Sequence, residues 1–329
     1  MYDSIIEEHR AVREGCGVFD ISHMGQVFVS GDKAQGWLEG LLTNEVAKLE
    51  PGKAHYTLML NEAGGVIDDL ILYCLAEGEY LLVVNASCVS ADLEWLEKHL
   101  IKGVKLRDES AEWAGLAVQG PKSAEIYFQI TEGRTLPLRN GVDVLKHEGK
   151  DLMVCRTGYT GEDGFELFCL TKVASFWWKA LMEAEVKPCG LGARDSLRLE
   201  MCYPLNGNDL TAERTPLEAG LGFFVALGKG DFVGSEVLKK QKEEGLAERL
   251  TAIKVTERSA PPRVGYSVLN QEGEKIGELT SGGLSPSLGD GISLAYLPLS
   301  YSKAGTEVFL EMRGRKISAE VVAKPFYKK

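Results

Sequence analysis

HYTLMLNEAGGVIDDL, residues 55–70, divides into strand, turn and strand. Residues 56–60 are apolar, 61–65 supply turn chemistry, and 66–74 are apolar again. The second strand carries two successive carboxylates, Asp68 and Asp69. Side chains alternate across a strand, so Asp69 shares a face with Ile67, Ile71 and Tyr73, while Asp68 shares the other with Val66, Leu70 and Leu72. Covering either face of the sheet puts an acid inside the protein or on the wall of a cleft. A buried carboxylate is costly unless it is paired, hydrogen-bonded or shifted in pKa. Asp is also a poor strand former. The plain alternative is an acid that caps a turn or pairs with an arginine, but these two lie three and four residues past Gly65, well inside the strand. A site carboxylate is the better reading, and the residues alone do not choose between the two.

Outward from this hairpin, 329 residues with 44% hydrophobic and 26% charged side chains describe an ordinary globular protein of about two or three domains. The net charge of -11, with no long basic run, argues against nucleic acid and against an anionic membrane surface. Lys239, Lys240 and Lys242 are followed at once by Glu243 and Glu244, which reads as the solvated face of a helix. Seven scattered cysteines without a C-x-x-C pair imply a reducing, cytoplasmic setting, no disulfide framework and no metal site. The opening MYDSIIEEHRAVREG is too acidic for a targeting peptide, and no apolar stretch is long enough to span a membrane.

Periodicity predicts a helix over 4–14, capped by Ser4, with Ile5, Ile6, His9 and Val12 on its apolar side. Further helices are expected at 33–42, 89–101, 122–130, 172–184 and from 190 to 200. Strands are expected at 26–30, 80–85, 114–119 and 152–156, and 131–150 reads as turns. The segment TGYTGEDGFELF, 157–168, places glycines at 158, 161 and 164 among Glu162, Asp163 and Glu166, which implies tight backbone turns. Ser22 and His23 read as a turn serine and a partly buried histidine, since neither a nucleophile elbow nor a triad accompanies them. Arg194 and Arg198 share a helix face. They either pair at the surface with Glu200 or Glu213, or hold a carboxylate near a helix N-terminus that otherwise disfavours cations. After a connector helix at 235–244 the chain shows only short strands, at 250–256, 265–269, 275–280, 292–297, 306–312 and 317–323. This is the pattern of a small all-β barrel or sandwich.

In this order the chain resembles the aminomethyltransferases of the glycine cleavage system, the T-proteins. The resemblance rests on VFDISHMGQ (18–26), LLTNEV (41–46), YTLMLNEAGGVIDDLILY (56–73), YLLVVNAS (80–87), QGPKS (119–123), RTGYTGEDGFEL (156–167), GLGARDSLRLE (190–200), DFVGSEVL (231–238), GELTSGGLSPSLG (277–289) and KPFYKK (324–329). It implies an α+β fold, a three-domain cloverleaf. Two interleaved antiparallel α+β folate-binding subdomains (1–228) lead through a connector helix (229–246) to a C-terminal all-β barrel (247–329). It further implies transfer of a methylene carbon from an aminomethyl group on the lipoyl arm of the H-protein to tetrahydrofolate, the co-substrate, with release of ammonia. The family's acid facing the reacting folate nitrogens matches Asp69. Its folate-binding tyrosines match Tyr56 and Tyr159, its pterin-side acid Glu166, and the arginine of its Ala-Arg-Asp motif Arg194. Met24, Val84 and Asn85 match positions lining the same cavity.

Family members carry a further N-terminal segment with a Gly-Trp-x-Met-Pro signature, and this chain opens just after where it would end, so a helix and strand of the family's first domain are expected to be missing here, through a wrongly chosen start codon or a real truncation. The folate-dependent relative that assists iron–sulfur assembly has a Lys-Gly-Cys motif, whereas this chain has Lys229-Gly230-Asp231. Two other functions compete: a tetrahydrofolate-dependent demethylase, including the folate domain of a dimethylglycine or sarcosine oxidising enzyme, and a catalytically silent folate-binding protein. The oxidising enzymes need a flavin domain, and no G-x-G-x-x-G unit occurs here. Retention of Asp69, Glu166 and Arg194 together argues against silence.

Overall fold

The structure, a computed structural model, describes residues 1–147 and 149–329. The chain divides into two compact units. One comprises Met1–Asn61, Ile67–Arg194 and Phe224–Val233; the other comprises Glu62–Val66, Asp195–Phe223 and Gly234–Lys329.

The first unit opens with helix α1 (Ile5–Glu14), whose cap Ser4 accepts from the Glu7 amide as the sequence implies. Its inward face differs from the expected one. Ile5 and Ile6 are exposed, and Glu8 is buried with His9 and Val12. Glu8 is tolerated inside because its carboxylate accepts from the amides of Tyr2, Asp3 and Gly190. Then follow β1 (Gly17–Asp20), β2 (Gly25–Ser30), α2 (Ala34–Leu41), β3 (Lys53–Leu60), β4 (Val66–Ala76), β5 (Glu79–Val84), α3 (Val89–Lys98), β6 (Lys105–Asp108), β7 (Trp113–Gln119), α4 (Ser123–Ile130), β8 (Val142–His147), β9 (Lys150–Cys155), β10 (Gly164–Leu170), α5 (Thr171–Glu183), β11 (Lys187–Cys189) and α6 (Leu191–Glu200).

These strands make two sheets, ordered β3-β4-β5-β2-β6 and β11-β1-β7-β10-β9-β8. The chain enters the second sheet with β1, leaves to build the first, and returns with β7, so the two halves are interleaved. The pairings are antiparallel apart from β1 with β11. Strands β6 and β8 were not expected, and both lie at sheet edges, where polar residues replace apolar alternation. Strand β4 alternates as its sequence demands: Val66, Asp68, Leu70 and Leu72 are buried, and Ile67, Asp69 and Ile71 are partly exposed. Leu70 and Leu72 pack with Trp37 and Leu38 of α2 and Leu96 of α3. Each such leucine is worth roughly 1.5–3 kcal/mol on burial. The second sheet buries Val118, Phe165 and Leu167 against Tyr127 of α4 and Trp177 of α5. The end of α2 is closed by a lysine that sequence reading passed over. Lys229 Nζ donates to the carbonyls of Glu39, Leu42 and Asn44 at 2.6, 2.6 and 2.9 Å.

The second unit contains α7 (Ser235–Glu244) and β12 (Glu248–Val255), β13 (Ser267–Leu269), β14 (Lys275–Leu284), β15 (Gly291–Pro298), β16 (Glu307–Met312) and β17 (Arg315–Val322), which form a closed barrel in the order β12-β15-β14-β13-β16-β17. Closure leaves no unpaired edge. Arg198 is buried rather than at the surface. It pairs with Asp195 and Asp209. Glu200 is itself buried, accepting from the hydroxyls of Ser285 and Ser287. An arginine and an acid buried this deeply need partners that satisfy their full hydrogen-bonding capacity, and these networks supply them.

Candidate active site

The β3–β4 hairpin also builds the site. Pairing of Ile71 with Val83 continues along the strands, so Asn85, just past β5, falls beside Asp69. Its amide Nδ2 donates to Asp69 Oδ1 at 3.0 Å and to Asp68 Oδ1 at 2.8 Å, and its main-chain N–H donates to Asp68 Oδ2 at 3.0 Å. One asparagine thus ties both acids. From β3, the Tyr56 hydroxyl donates to Asp69 Oδ2 at 2.9 Å, and the Tyr56 ring meets Phe224 edge-on with centroids 4.7 Å apart. The two acids therefore differ. Asp68 is sealed in the core face, whereas Asp69 is reached by solvent although protein surrounds it closely. Loss of hydration and the neighbouring charge of Asp68 push the Asp69 carboxyl up to about 7, against the pull of the bonds from Tyr56 and Asn85. Burial and the Asp69 charge raise the Tyr56 phenol well above its ordinary value.

The glycine-rich segment before β10 builds the opposite wall. A Cβ at Gly158 or Gly164 would collide with the buried Gln119 side chain, and Gly161 has φ +80°, so tight turning needs glycine at each of these places. The turn delivers Thr157, whose hydroxyl donates to Glu166 Oε2 at 2.6 Å. The Tyr73 hydroxyl lies 2.8 Å from Thr157 Oγ1 and 3.2 Å from the same Glu166 oxygen. Glu166 Oε1 accepts nothing among the described residues, so this acid keeps acceptor capacity for a ligand. The Arg194 guanidinium lies 5.0 Å above the Tyr159 ring, and its buried Nη1 has no hydrogen-bond partner. Burial lowers the Arg194 pKa, and the charge of Glu166 opposes that shift, although no ion pair within 4.0 Å joins the two among the described residues. His23 is exposed rather than partly buried as expected, and partial loss of hydration, then the Arg194 charge, lowers its pKa.

The structure therefore gathers Tyr56, Asp69 and Asn85 into one hydrogen-bonded group, and brings Arg194 over the Tyr159 ring within the influence of the Glu166 charge. Tyr56 and Tyr159 sense each other's charge across the gap. Met24 sits half-buried in the turn between β1 and β2 with its carbonyl accepting from Gln26. The Val84 side chain lies in the core with Leu70 and Leu72, outside both groups. Tyr73 and Thr157 were not singled out from sequence. For Tyr73 the signal was present, since it shares the strand face of Asp69.

With this geometry in view, comparison with known proteins is decisive. Residues 1–229 match the GCVT N-terminal domain, and residues 248–328 match the glycine cleavage T-protein C-terminal barrel domain. The chain belongs to the glycine cleavage T-protein family. This family member is 46% identical over 334 residues to an aminomethyltransferase of Halalkalibacterium halodurans, covering 100% of this chain and 91% of the relative. It is 45% identical over 335 residues to one from a Geobacillus species, covering 100% and 92%. The crystal structure of glycine cleavage system aminomethyltransferase T from Bartonella henselae superposes with a TM-score of 0.93 at 35% identity, covering 98% of this chain and 90% of that one. The α+β fold with its closed barrel and the membership of an aminomethyltransferase family stand on these matches. No helix is long and apolar enough to cross a membrane among the described residues, and no cluster of His, Cys, Asp and Glu is placed there to hold a metal ion.

Proposed function

We propose that this T-protein family member moves the methylene carbon of an aminomethyl group, carried on the lipoyl arm of the H-protein, to tetrahydrofolate, releasing ammonia, and that Asp69 is the catalytic residue. The observation that carries the assignment is the Asp69 carboxyl itself, held by Tyr56 and Asn85, open to solvent and tuned to about 7. A methylene leaving sulfur passes through a cationic, iminium-like state. A fixed carboxylate beside it stabilises that charge without reorganising. Two N–H protons leave the folate in the overall reaction, one ending on the lipoyl sulfur and one on the departing ammonia. An acid balanced near neutrality can hold a proton in transit. Glu166, braced through Oε2 by Thr157 and Tyr73, offers Oε1 to the donor edge of an amino-pyrimidine. Arg194 Nη1 supplies a donor, and the tyrosine rings supply stacking surfaces. Asn85 orients Asp69 in this reading. Seven free thiols agree with a cytoplasmic setting. The test is ammonia release from aminomethyl-loaded lipoyl protein and tetrahydrofolate. Folate-dependent release supports the reading, and folate binding without any release would leave a silent binding protein.

A further inference from the structure

The buried stripe of α3 holds a third acid that the mechanism above does not use. Asp92 is fully buried, and neither of its oxygens meets a hydrogen-bond donor. Helix α3 packs Val89, Leu93 and Leu96 on the buried face of β4 that carries Leu70, Leu72 and Asp68, so the Asp92 and Asp68 carboxyls meet between the two elements. The titratable groups around Asp92 are Asp68 and Asp69 of β4 and the Cys88 thiol at the head of α3, with no lysine, arginine or histidine contributing. An ionised Asp92 would thus be a buried charge lacking a counter-ion and a donor, opposite a second carboxylate. That arrangement is strongly unfavourable. Its place in the first turn of α3 offsets only a small part of this through the helix dipole. A proton on Asp92 resolves both problems, because the new O–H donates to Asp68 and the repulsion disappears.

We propose that Asp92 is a neutral carboxylic acid that donates its proton to Asp68, and that this shared proton is a positioning device for Asp69. Asp68 then keeps its remaining acceptor capacity for Asn85, which gives it both the main-chain N–H and Nδ2. The same Nδ2 reaches Asp69 Oδ1, so the chain of bonds runs from Asp92 through Asp68 and Asn85 to Asp69. The role of the last member rests on the function proposed above; the protonation of Asp92 does not. Loss of hydration, then the Asp68 charge, raises the Asp92 pKa to about 9, in agreement with the geometry.

Two substitutions and one spectrum test this on the full chain. Asp92→Asn retains a donor toward Asp68; Asp92→Ala removes it. With Asp69 replaced by Asn, which removes the other carboxyl that is partly protonated near neutrality, the chain should show an infrared protonated-carboxyl band at pH 7.5 that a further Asp92→Asn abolishes. No such band would overturn the neutral acid, whatever the enzyme's activity. In ammonia release, Asp92→Asn should keep kcat within about threefold of wild type with the same acid midpoint. Asp92→Ala should lower kcat by more than tenfold and move the midpoint to higher pH, because Asp68 turns more negative charge on Asp69. Equal losses in both variants with an unmoved midpoint would mean a structural role only, and would overturn the positioning. The same midpoint in wild type and Asp92→Ala would do so too. If wild type and Asp69→Asn prove equally active, the reading of Asp69 fails while the spectrum still decides Asp92.

Discussion

Asp69→Asn is the substitution on which the catalytic reading turns. The carboxylate receives Tyr56 at 2.9 Å and Asn85 at 3.0 Å, and an amide of the same shape can keep both contacts. Its oxygen stays toward Asn85, and the Tyr56 hydroxyl turns to accept from the new N–H. Folding and folate affinity should therefore change little, by about threefold at most in Kd. What disappears is a fixed negative charge and a proton acceptor. Removing one preorganised electrostatic group costs ~10²–10³ in kcat. Loss of a general acid–base costs ~10²–10⁴. The two effects belong to one group and overlap, so about 10³-fold is expected. The pH profile adds a sharper signature. With a midpoint of about 7, the ionised fraction of Asp69 climbs from about 0.09 at pH 6 to about 0.91 at pH 8, so the wild-type rate should rise about tenfold across that interval. The variant has nothing to titrate there, and its profile should be flat. Single-turnover ammonia release from free aminomethyl-dihydrolipoamide at saturating tetrahydrofolate measures both. A variant within tenfold of wild type, or one that keeps the slope, refutes the assignment and moves attention to Asp68.

Glu166→Ala and Arg194→Ala should each weaken folate binding by roughly 10–100-fold, as for lost hydrogen bonds to charged groups, in titration calorimetry. Since no ion pair joins them, their effects on stability should add within ~0.5 kcal/mol, and a larger coupling would show direct contact. Thr157→Val removes the 2.6 Å donor to Glu166 and should weaken folate several-fold without moving the acid midpoint of kcat; a moved midpoint would tie Thr157 to Asp69 instead. In the folded chain Asp92 binds its proton more tightly than in the unfolded chain, so its contribution to stability is complete below about 4 and fades as pH rises toward about 9. Denaturant midpoints of Asp92→Asn should accordingly fall less between pH 5 and 8 than those of wild type, and parallel declines would count against a neutral acid. This chain carries a net charge of -11, so docking an acidic lipoyl carrier needs a local basic patch such as the exposed Lys328 and Lys329. Salt should slow transfer from the carrier and spare the free donor, and equal sensitivity of the two would remove the electrostatic step.

Much of this was legible in the sequence because local rules and tertiary structure agree. Period-two alternation in β4 assigned Asp68 and Asp69 to opposite faces, and the structure seals one and opens the other. Glycines 158, 161 and 164 announced tight turns, and each has a steric or φ requirement. Failures occurred where burial is decided by a distant partner. Ile5 and Ile6 read as a buried face, but Glu8 goes inside because main-chain amides from Tyr2, Asp3 and Gly190 converge on it. Arg198 read as a surface residue, yet Asp209 and Ser281 pair it in the interior. The edge strands β6 and β8 carry too little apolar alternation to announce themselves. Asp92 sits on the same helical stripe as Val89, Leu93 and Leu96, so its burial was readable from spacing of three and four; its relation to Asp68 was not.

Placing two acids in succession on one strand separates two demands that a single carboxylate could not meet. The group that faces the substrate must stay accessible and titrate near neutrality, which makes it repel any fixed negative charge nearby. The group that holds Asn85 must remain an acceptor at every working pH. Alternation gives each its own surroundings at a separation of one residue, with Asn85 spanning both faces from the neighbouring strand. The cost is a carboxylate in the core face, and α3 answers it with another acid rather than a cation. An arginine or lysine at residue 92 would neutralise Asp68 more strongly, but it would also draw Asp69 down toward an ordinary carboxylate and deprive it of a proton at neutral pH. A neutral acid satisfies Asp68 while leaving the negative charge that keeps Asp69 near about 7. On this argument Asp92→Lys, should it fold, would shift the acid midpoint of kcat downward by at least about one pH unit, opposite to Asp92→Ala, and shifts of the same sign in the two variants would show that charge near Asp68 does not set the protonation of Asp69.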